Sequence, residues 1–387
     1  MSNHATQSDR ARRPRRVVVK FGTNLLTNRG DSVDDATVSD LASQVAEVHS
    51  AGTEVLVVTS GAVGAGRDSL KRTIRPDRLH ERGVVRKQVL AALGQPQLMG
   101  TYQREFGKHG IEVAQALLSR DDLQHRLGYL NVRRTLEALL EIGAVPIVNE
   151  NDVVAVHEIV GDVYGDNDRL SAMVANAVDA DLLILLGEVE GLYTNDPGLD
   201  RSATLIRQVD DITPEIELAA RGPLDGRGSG GMASKLDAAR LATASGTPMV
   251  IASGRTERVI PRLCAGEELG TRFSARVSRL EARRRWMLTG FTDSQGAVSV
   301  DDGAAKALRE RGVSLLPAGI TAVTGEFDRG DIIGVRGANG EVIAFGIANY
   351  SSADVGVIKG RKTKDVPDLL GHFFGTEVIH RNNMALP

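Results

Sequence analysis

The feature that most constrains this chain is a repeated pairing of a short apolar run with a glycine-punctuated polar cluster. Val17-Val18-Val19 leads into Lys20-Phe21-Gly22-Thr23, and Glu54–Val58 into Thr59-Ser60-Gly61-Ala62. Residues 145–148 lead into Asn149-Glu150-Asn151-Asp152, and 182–186 into Gly187-Glu188. Gly165-Asp166-Asn167-Asp168 and Gly228-Ser229-Gly230-Gly231-Met232-Ala233-Ser234-Lys235 each open a helical stretch. Strands that are apolar at every position need cover on both faces, which helices flanking a parallel sheet supply. Helical periodicity over 34–51, 84–106, 130–142, 168–179 and 232–245, with further strands over 111–118 and 249–252, completes an alternating pattern. The expected α/β fold is a three-layer αβα domain with a mostly parallel central sheet. Ligands of such folds sit beyond the carboxyl ends of the strands, so Lys20, Ser60, Asn149 and Gly187 should approach one crevice.

The residue types at those ends suit phosphate chemistry. Glycine turns free backbone amides, and Lys20 and Lys235, distant in sequence, can add positive charge from two sides. No Walker A pattern is present. Gly226-Arg227-Gly228-Ser229-Gly230-Gly231 matches the dinucleotide fingerprint formally, but Pro223-Leu224-Asp225 precedes it instead of a strand, which argues against that reading. A glycine loop opening a helix, with Lys235 one turn in, fits an anion better. Asp166, Asn167 and Asp168 exceed what helix capping requires. The eight histidines are scattered without metal-ligand spacing, and no Ser/His/Asp set points to covalent catalysis.

A length of 387 residues exceeds one usual domain. Beyond about residue 275 the pattern changes to short alternating strands, a helix over 303–311 and frequent glycine turns, the signature of a small β-rich, barrel-like domain. The boundary is expected within 268–281. The net charge of −3 argues against a surface built wholly for nucleic acid. The single cysteine, Cys264, excludes an intrachain disulfide and fits a reducing cytosol. No apolar stretch is long enough to span a bilayer, and no signal-peptide core is present, so a cytoplasmic location without membrane association is expected. The basic run Arg10-Ala11-Arg12-Arg13-Pro14-Arg15-Arg16 reads as part of a solvated, disordered tail over 1–15.

Taken in series, Val18-Val19-Lys20-Phe21-Gly22-Thr23, the 59–66 segment, the 87–95 segment, Val148-Asn149-Glu150-Asn151-Asp152, the 165–172 segment and Gly191-Leu192-Tyr193-Thr194 resemble the glutamate 5-kinase family. The resemblance covers about residues 15 to 384. Leu315-Leu316-Pro317-Ala318-Gly319-Ile320 and Val323-Thr324-Gly325 resemble its PUA portion. The family implies an amino acid kinase fold over 16–275 and a PUA domain over 280–375. It implies ATP-dependent phosphorylation of the L-glutamate γ-carboxylate to L-glutamyl 5-phosphate, the first step of proline biosynthesis, with ATP and Mg2+ required. Feedback by proline, a homo-oligomer, the next enzyme glutamyl-phosphate reductase and RNA at the PUA domain are the partners it brings into view.

Position by position, the resemblance gives Lys20 to the transferring phosphoryl group and Lys235 to the ATP phosphates, with Asp168 orienting both. Ser60, Gly61, Asp152 and Asn167 would bind glutamate, and Asp166 would assist the substrate or the Mg2+ environment. Gly187, Glu188 and the 229–235 segment (Ser229, Gly230, Gly231, Met232, Ala233, Ser234, Lys235) would bind ATP. No side chain is assigned to metal. A γ-carboxylate of ordinary pKa about 4.3 is already an anionic nucleophile, so the site must overcome charge repulsion rather than supply a base.

Three departures stand out. Gly187-Glu188 replaces the family's usual Thr-Asp, the loop over 158–164 is longer than usual, and the tail has no counterpart. Two rivals remain open: a kinase of the same fold acting on another acid or a nucleoside monophosphate, and an RNA-binding protein using Arg283-Arg284-Arg285 and Trp286.

Overall fold

The computed structural model describes residues 13–27, 32–72, 81–154, 166–221, 230–275, 277–278, 281 and 296–386. They fall into two compact units, Met1–Gln124 with Val132–Arg276, and His125–Asn131 with Val277–Pro387.

The first unit is built on an eight-stranded sheet. Its strands are β1 (Arg16–Phe21), β2 (Glu54–Val58), β3 (Val113–Leu118), β4 (Val145–Glu150), β5 (Leu182–Gly187), β6 (Gln208–Val209), β7 (Met249–Ser253) and β8 (Thr271–Phe273). They lie in the order β3-β4-β2-β1-β5-β7-β8-β6. All the pairings are parallel except β7 with β8. The chain leaves β1 toward β2 on one side and later returns to β5 on the other, so a crevice opens at the carboxyl end of β1.

The helices through residue 264 are α1 (Thr23–Leu26), α2 (Asp35–Ser50), α3 (Ala62–Arg72), α4 (Gly83–Gly107), α5 (Arg120–Gln124), α6 (Arg126–Glu141, its residues up to Asn131 counted with the second unit), α7 (Asp166–Ala177), α8 (Pro214–Arg221), α9 (Gly230–Ala244) and α10 (Val259–Cys264). Successive strand residues point to opposite faces. Val17, Val19 and Phe21 of β1 pack with Leu41 and Val45 of α2 and with Leu98, Tyr102 and Phe106 of α4. The alternate residues, Val18 and Lys20, therefore face the other side, where α7 packs against β1.

Helix α3 carries Gly64 and Gly66, poor helix formers, and was not legible from periodicity. Tertiary packing explains it. A Cβ on Gly94 of α4 would lie 1.9 Å from the Ala62 carbonyl oxygen, and one on Gly66 would lie 1.8 Å from the Leu90 carbonyl oxygen. The two helices thus meet backbone to backbone, and only glycine fits. Gly61, which joins β2 to α3, has φ +106°, a conformation that favours glycine.

The second unit carries a five-stranded sheet of β9 (Ala297–Val300), β10 (Ile320–Thr324), β11 (Ile332–Arg336), β12 (Val342–Ile347) and β13 (Met384–Ala385) in the order β10-β9-β11-β12-β13. The helix Asp302–Arg311 is capped by the Asp301 carboxylate, which accepts from the Ala304 amide at 2.7 Å. In its core the Tyr350 hydroxyl donates to the Gly375 carbonyl at 2.6 Å and accepts from the Phe374 amide at 3.0 Å.

Gly94→Ala should lower stability by about 3 kcal/mol or more through overpacking, read as a fall in thermal midpoint. Gly100→Ala, on the same helix but facing open space, should leave the midpoint level or raise it. Equal midpoints for the two variants would mean that the α3–α4 contact is not a constraint.

Candidate functional site

The alternation along β1 brings Lys20 beneath the start of α7, and there it meets Asp168. Lys20 Nζ stands 2.6 Å from Asp168 Oδ1, and Lys235 Nζ, from α9, stands 3.1 Å from Oδ2. Ser234 Oγ also donates to Oδ2, at 2.6 Å. Lys235 Nζ reaches back to the carbonyl of Gly231 at 3.1 Å. Asp168 is 1 % exposed, so its charge is held by these partners and not by water. Burial alone would raise its pKa; Lys20, Lys235 and Ser234 outweigh burial and hold it at about 2. Burial pushes the Lys235 ammonium down from its ordinary value, and Lys20 adds to this while Asp168 resists it. One carboxylate thus holds two ammonium groups side by side at the end of the sheet.

Glycine keeps this corner open. The Gly22 amide donates to the Leu186 carbonyl at 2.9 Å, tying the turn after β1 to the end of β5. A Cβ at Gly22 would come within 3.1 Å of that same oxygen and 3.8 Å of Lys20 Nζ. Gly187 is different: a Cβ there would meet only Lys235 Cε, at an ordinary 3.8 Å. The side chain of Glu188 pairs with Arg255 at 3.5 Å. Gly230, Gly231, Met232 and Ala233 form the first turn of α9 ahead of Ser234 and Lys235, so that turn's free amides lie on the lysine side of Asp168.

Beside Asp168, polar groups from the turn after β2 and from β4, α4 and α7 converge. Asn167 Nδ2 donates to Ser60 Oγ at 3.0 Å and to Asn149 Oδ1 at 3.2 Å. Asn149 Nδ2 donates to Gln95 Oε1 at 2.8 Å. Two acids follow β4's end. Burial raises Glu150 to about 7, with a further upward push from Asp152 against the pull of Arg120. Burial likewise raises Asp152 to about 6.

Among the sequence-derived candidates, Lys20, Ser234 and Lys235 are bonded to Asp168, and Ser60 is bonded to Asn167, the residue before Asp168. Gly61, Asp152, Gly187 and Glu188 lie at the same strand ends without a direct bond to Asp168. Ser229, the 158–164 loop, residues 1–12 and Arg283-Arg284-Arg285-Trp286 lie outside the described residues, as does the side chain of Asp166. Residues 13–15 lead up to β1, with the Arg15 amide donating to Asp181 at 2.8 Å.

The amino acid kinase family model matches residues 15–253, and the PUA domain model matches residues 296–370. Two glutamate 5-kinases from Dehalococcoides mccartyi strains are 49% and 47% identical to the chain, each alignment covering 96% of this chain and 98% of the relative. One from Herpetosiphon aurantiacus is 46% identical with the same coverage. The chain belongs to the glutamate 5-kinase family.

As a member of that family it is a kinase, and the geometry accounts for more of it than the sequence reading assigned. Asn149 is expected there only to approach the crevice and Gln95 carries no role, although both stand in the family-like segments. Gln95 follows Gly94, the glycine that seats α4 on α3, but that contact shows only in the folded structure. In this glutamate 5-kinase family member, Asp168→Asn should cost about 3 kcal/mol of stability at pH 7, because two buried ammonium groups lose their counter-charge. Urea unfolding would measure it. A carboxylate with depressed pKa stabilises above its unfolded value, so the deficit should shrink as pH falls from the ordinary 3.8 and vanish through about 2. A pH-independent deficit would refute the ion-pair account.

Proposed function

We propose that the chain transfers the γ-phosphoryl group of MgATP to the γ-carboxylate of L-glutamate, forming L-glutamyl 5-phosphate and ADP. The carrying observation is the buried Asp168 with Lys20 and Lys235 on its two oxygens. Two like charges held that close are unfavourable until an anion arrives, and the anion they suit is a phosphoryl group between two oxygens in line. A carboxylate oxygen of glutamate attacks the γ-phosphorus as its bond to the ADP oxygen breaks, and ADP leaves with that electron pair. Lys20 neutralises the transferring group, Lys235 and the first turn of α9 hold the nucleotide phosphates, and Asp168 keeps both ammonium groups aligned. Asp168's oxygens are taken up by Lys20, Lys235 and Ser234, so the Mg2+ that accompanies ATP would supply charge neutralisation without Asp168 as its ligand. Gly187 and Glu188 would border the nucleotide.

Ser60, Gly61, Asp152 and Asn167 form the glutamate side, with Asp166 next to them in sequence. Ser60 offers a hydroxyl to a carboxylate, Asp152 a negative charge to the α-ammonium. The product would feed glutamyl-phosphate reductase, proline would compete at the glutamate side, and the kinase unit would assemble into a homo-oligomer in the cytoplasm. RNA at the PUA domain is the weaker reading, since the whole chain carries a net charge of −3 and the basic patch Arg283-Arg284-Arg285 is short.

Purified protein with MgATP, L-glutamate and hydroxylamine should yield γ-glutamyl hydroxamate, and far less with aspartate or acetylglutamate. Product with another acid alone would change the substrate and keep the lysine roles. Lys20→Ala and Lys235→Ala should each lose activity by orders of magnitude while remaining folded by circular dichroism; near-normal turnover in either would refute its role. The pH profile gives a separate check. Below about 6 Asp152 takes up a proton and loses its attraction for the ammonium. The KM for glutamate should therefore rise about tenfold from pH 8 to pH 5, and Asp152→Asn should flatten that rise at a uniformly high KM.

A further inference from the structure

Behind the glutamate side, buried amides and a hydroxyl form one directed chain. It starts on α4, where Gln95 Oε1 accepts from Asn149 Nδ2 at 2.8 Å. Asn149 Oδ1 then accepts from Asn167 Nδ2 at 3.2 Å, and the same Asn167 nitrogen donates to Ser60 Oγ at 3.0 Å. Gln95, Asn149 and Ser60 are all buried. Two polar atoms of this hydrogen-bond chain are buried without a partner among the described residues, Gln95 Nε2 at its head and Asn167 Oδ1 at its end. A buried acceptor with no donor is unfavourable, and it marks where a donor from outside would be welcome.

Each amide has a donor end and an acceptor end, so fixing one fixes the next. With Asn149 Nδ2 turned to Gln95, Asn149 must present its oxygen to Asn167. Asn167 must then present its nitrogen to Asn149 and Ser60, which leaves Asn167 Oδ1 as the outlying acceptor. The Ser60 oxygen is taken up as an acceptor, so its O–H is left to donate. The chain thus ends in a donor hydroxyl beside an acceptor carbonyl. An α-carboxylate and an α-ammonium group require that pair in that sense. Running the amides the other way round would exchange the two polarities.

We propose that Gln95 is a positioning residue that sets the direction of this chain and so makes the site prefer acids bearing an α-ammonium group. The inference rests on the reading that Ser60 and Asn167 hold the head of the substrate. Gln95 itself touches no reacting atom. Its backbone is held by the close approach of Gly94 to Ala62 and Gly66, so its side chain starts from a fixed point.

The test compares Gln95→Met, Gln95→Glu and Asn167→Ala by hydroxamate formation with L-glutamate, and with glutarate, which lacks only the amine, as alternative substrate and as competitor. Gln95→Met keeps the volume and removes the acceptor; Gln95→Glu keeps an oxygen that accepts whether or not it is ionised. Gln95→Met should raise the glutamate KM at least tenfold with kcat within threefold, and raise the glutarate KM by much less, since glutarate loses only the Ser60 contact to its carboxylate. Gln95→Glu should restore the glutamate KM to within threefold of the parent. If Asn167→Ala leaves the glutamate KM and the preference over glutarate intact, the underlying reading of Asn167 fails. If Asn167→Ala abolishes the preference but Gln95→Met does not, the role of Gln95 is overturned while that reading stands. Equal losses for both acids, or no rescue by Gln95→Glu, would make Gln95 a packing residue and overturn the proposal as well. Should the Met variant fold poorly by thermal midpoint, Gln95→Ser, too short to reach Asn149, carries the same expectation.

Discussion

The site depends on one carboxylate. Asp168 sits almost wholly out of water with an ammonium group against each oxygen, a state that is tolerable only because its charge is paired at hydrogen-bonding distance, with one positive charge left over for an incoming anion. Lys20 comes from the first strand, Asp168 from a helix in the middle of the first unit, and Lys235 from a helix more than 60 residues later in the chain. Their meeting requires that β1 lie at the centre of the sheet and that α7 and α9 lie against one another on the same face. The strand order, with β1 between β2 and β5, supplies the first condition. The apolar character of both faces of β1 and β5 supplies the second, because each face must be covered.

Much of this architecture could be read from the sequence, and the reason is physical. A strand buried on both faces carries a continuous apolar run bounded by turn or polar residues, so β1, β2, β4, β5 and β7 announce themselves. The short outer strands β6 and β8 are two and three residues long and give no usable period. Helix α3 was hidden by its glycines, whose value lies in a contact with α4 that no local pattern encodes. The site divides in the same way. Lys20, Asp168 and Lys235 are charged residues placed where strands end or helices begin, positions at which charge needs a reason. Gln95 lies inside a long amphipathic helix, where a glutamine that faces solvent and one that anchors a buried amide look alike until the partner, 54 residues away, is known.

Two kinds of electrostatics share the crevice. On the lysine side a strong ion-pair network fixes charge permanently across physiological pH, since Asp168 titrates only near 2. On the amide side the acids Glu150 and Asp152 are pushed upward by burial into the range where cellular pH changes matter. The first arrangement suits groups that must never lose their charge, such as those facing phosphate. The second suits groups whose charge is completed by an incoming ammonium, which would draw their protons off as it binds.

The glycine contact between α3 and α4 also has a mechanical meaning. With Gly66 and Gly94 giving no side chain to act as a cushion, the two helices cannot slide past one another without backbone collision. Ser60 lies just ahead of α3 and Gln95 lies within α4, so thermal displacement of one is transmitted to the other as a single stiff body. Breathing of the crevice must then come from the segments around this strut, and the two ends of the amide chain keep their spacing while the rest of the site moves.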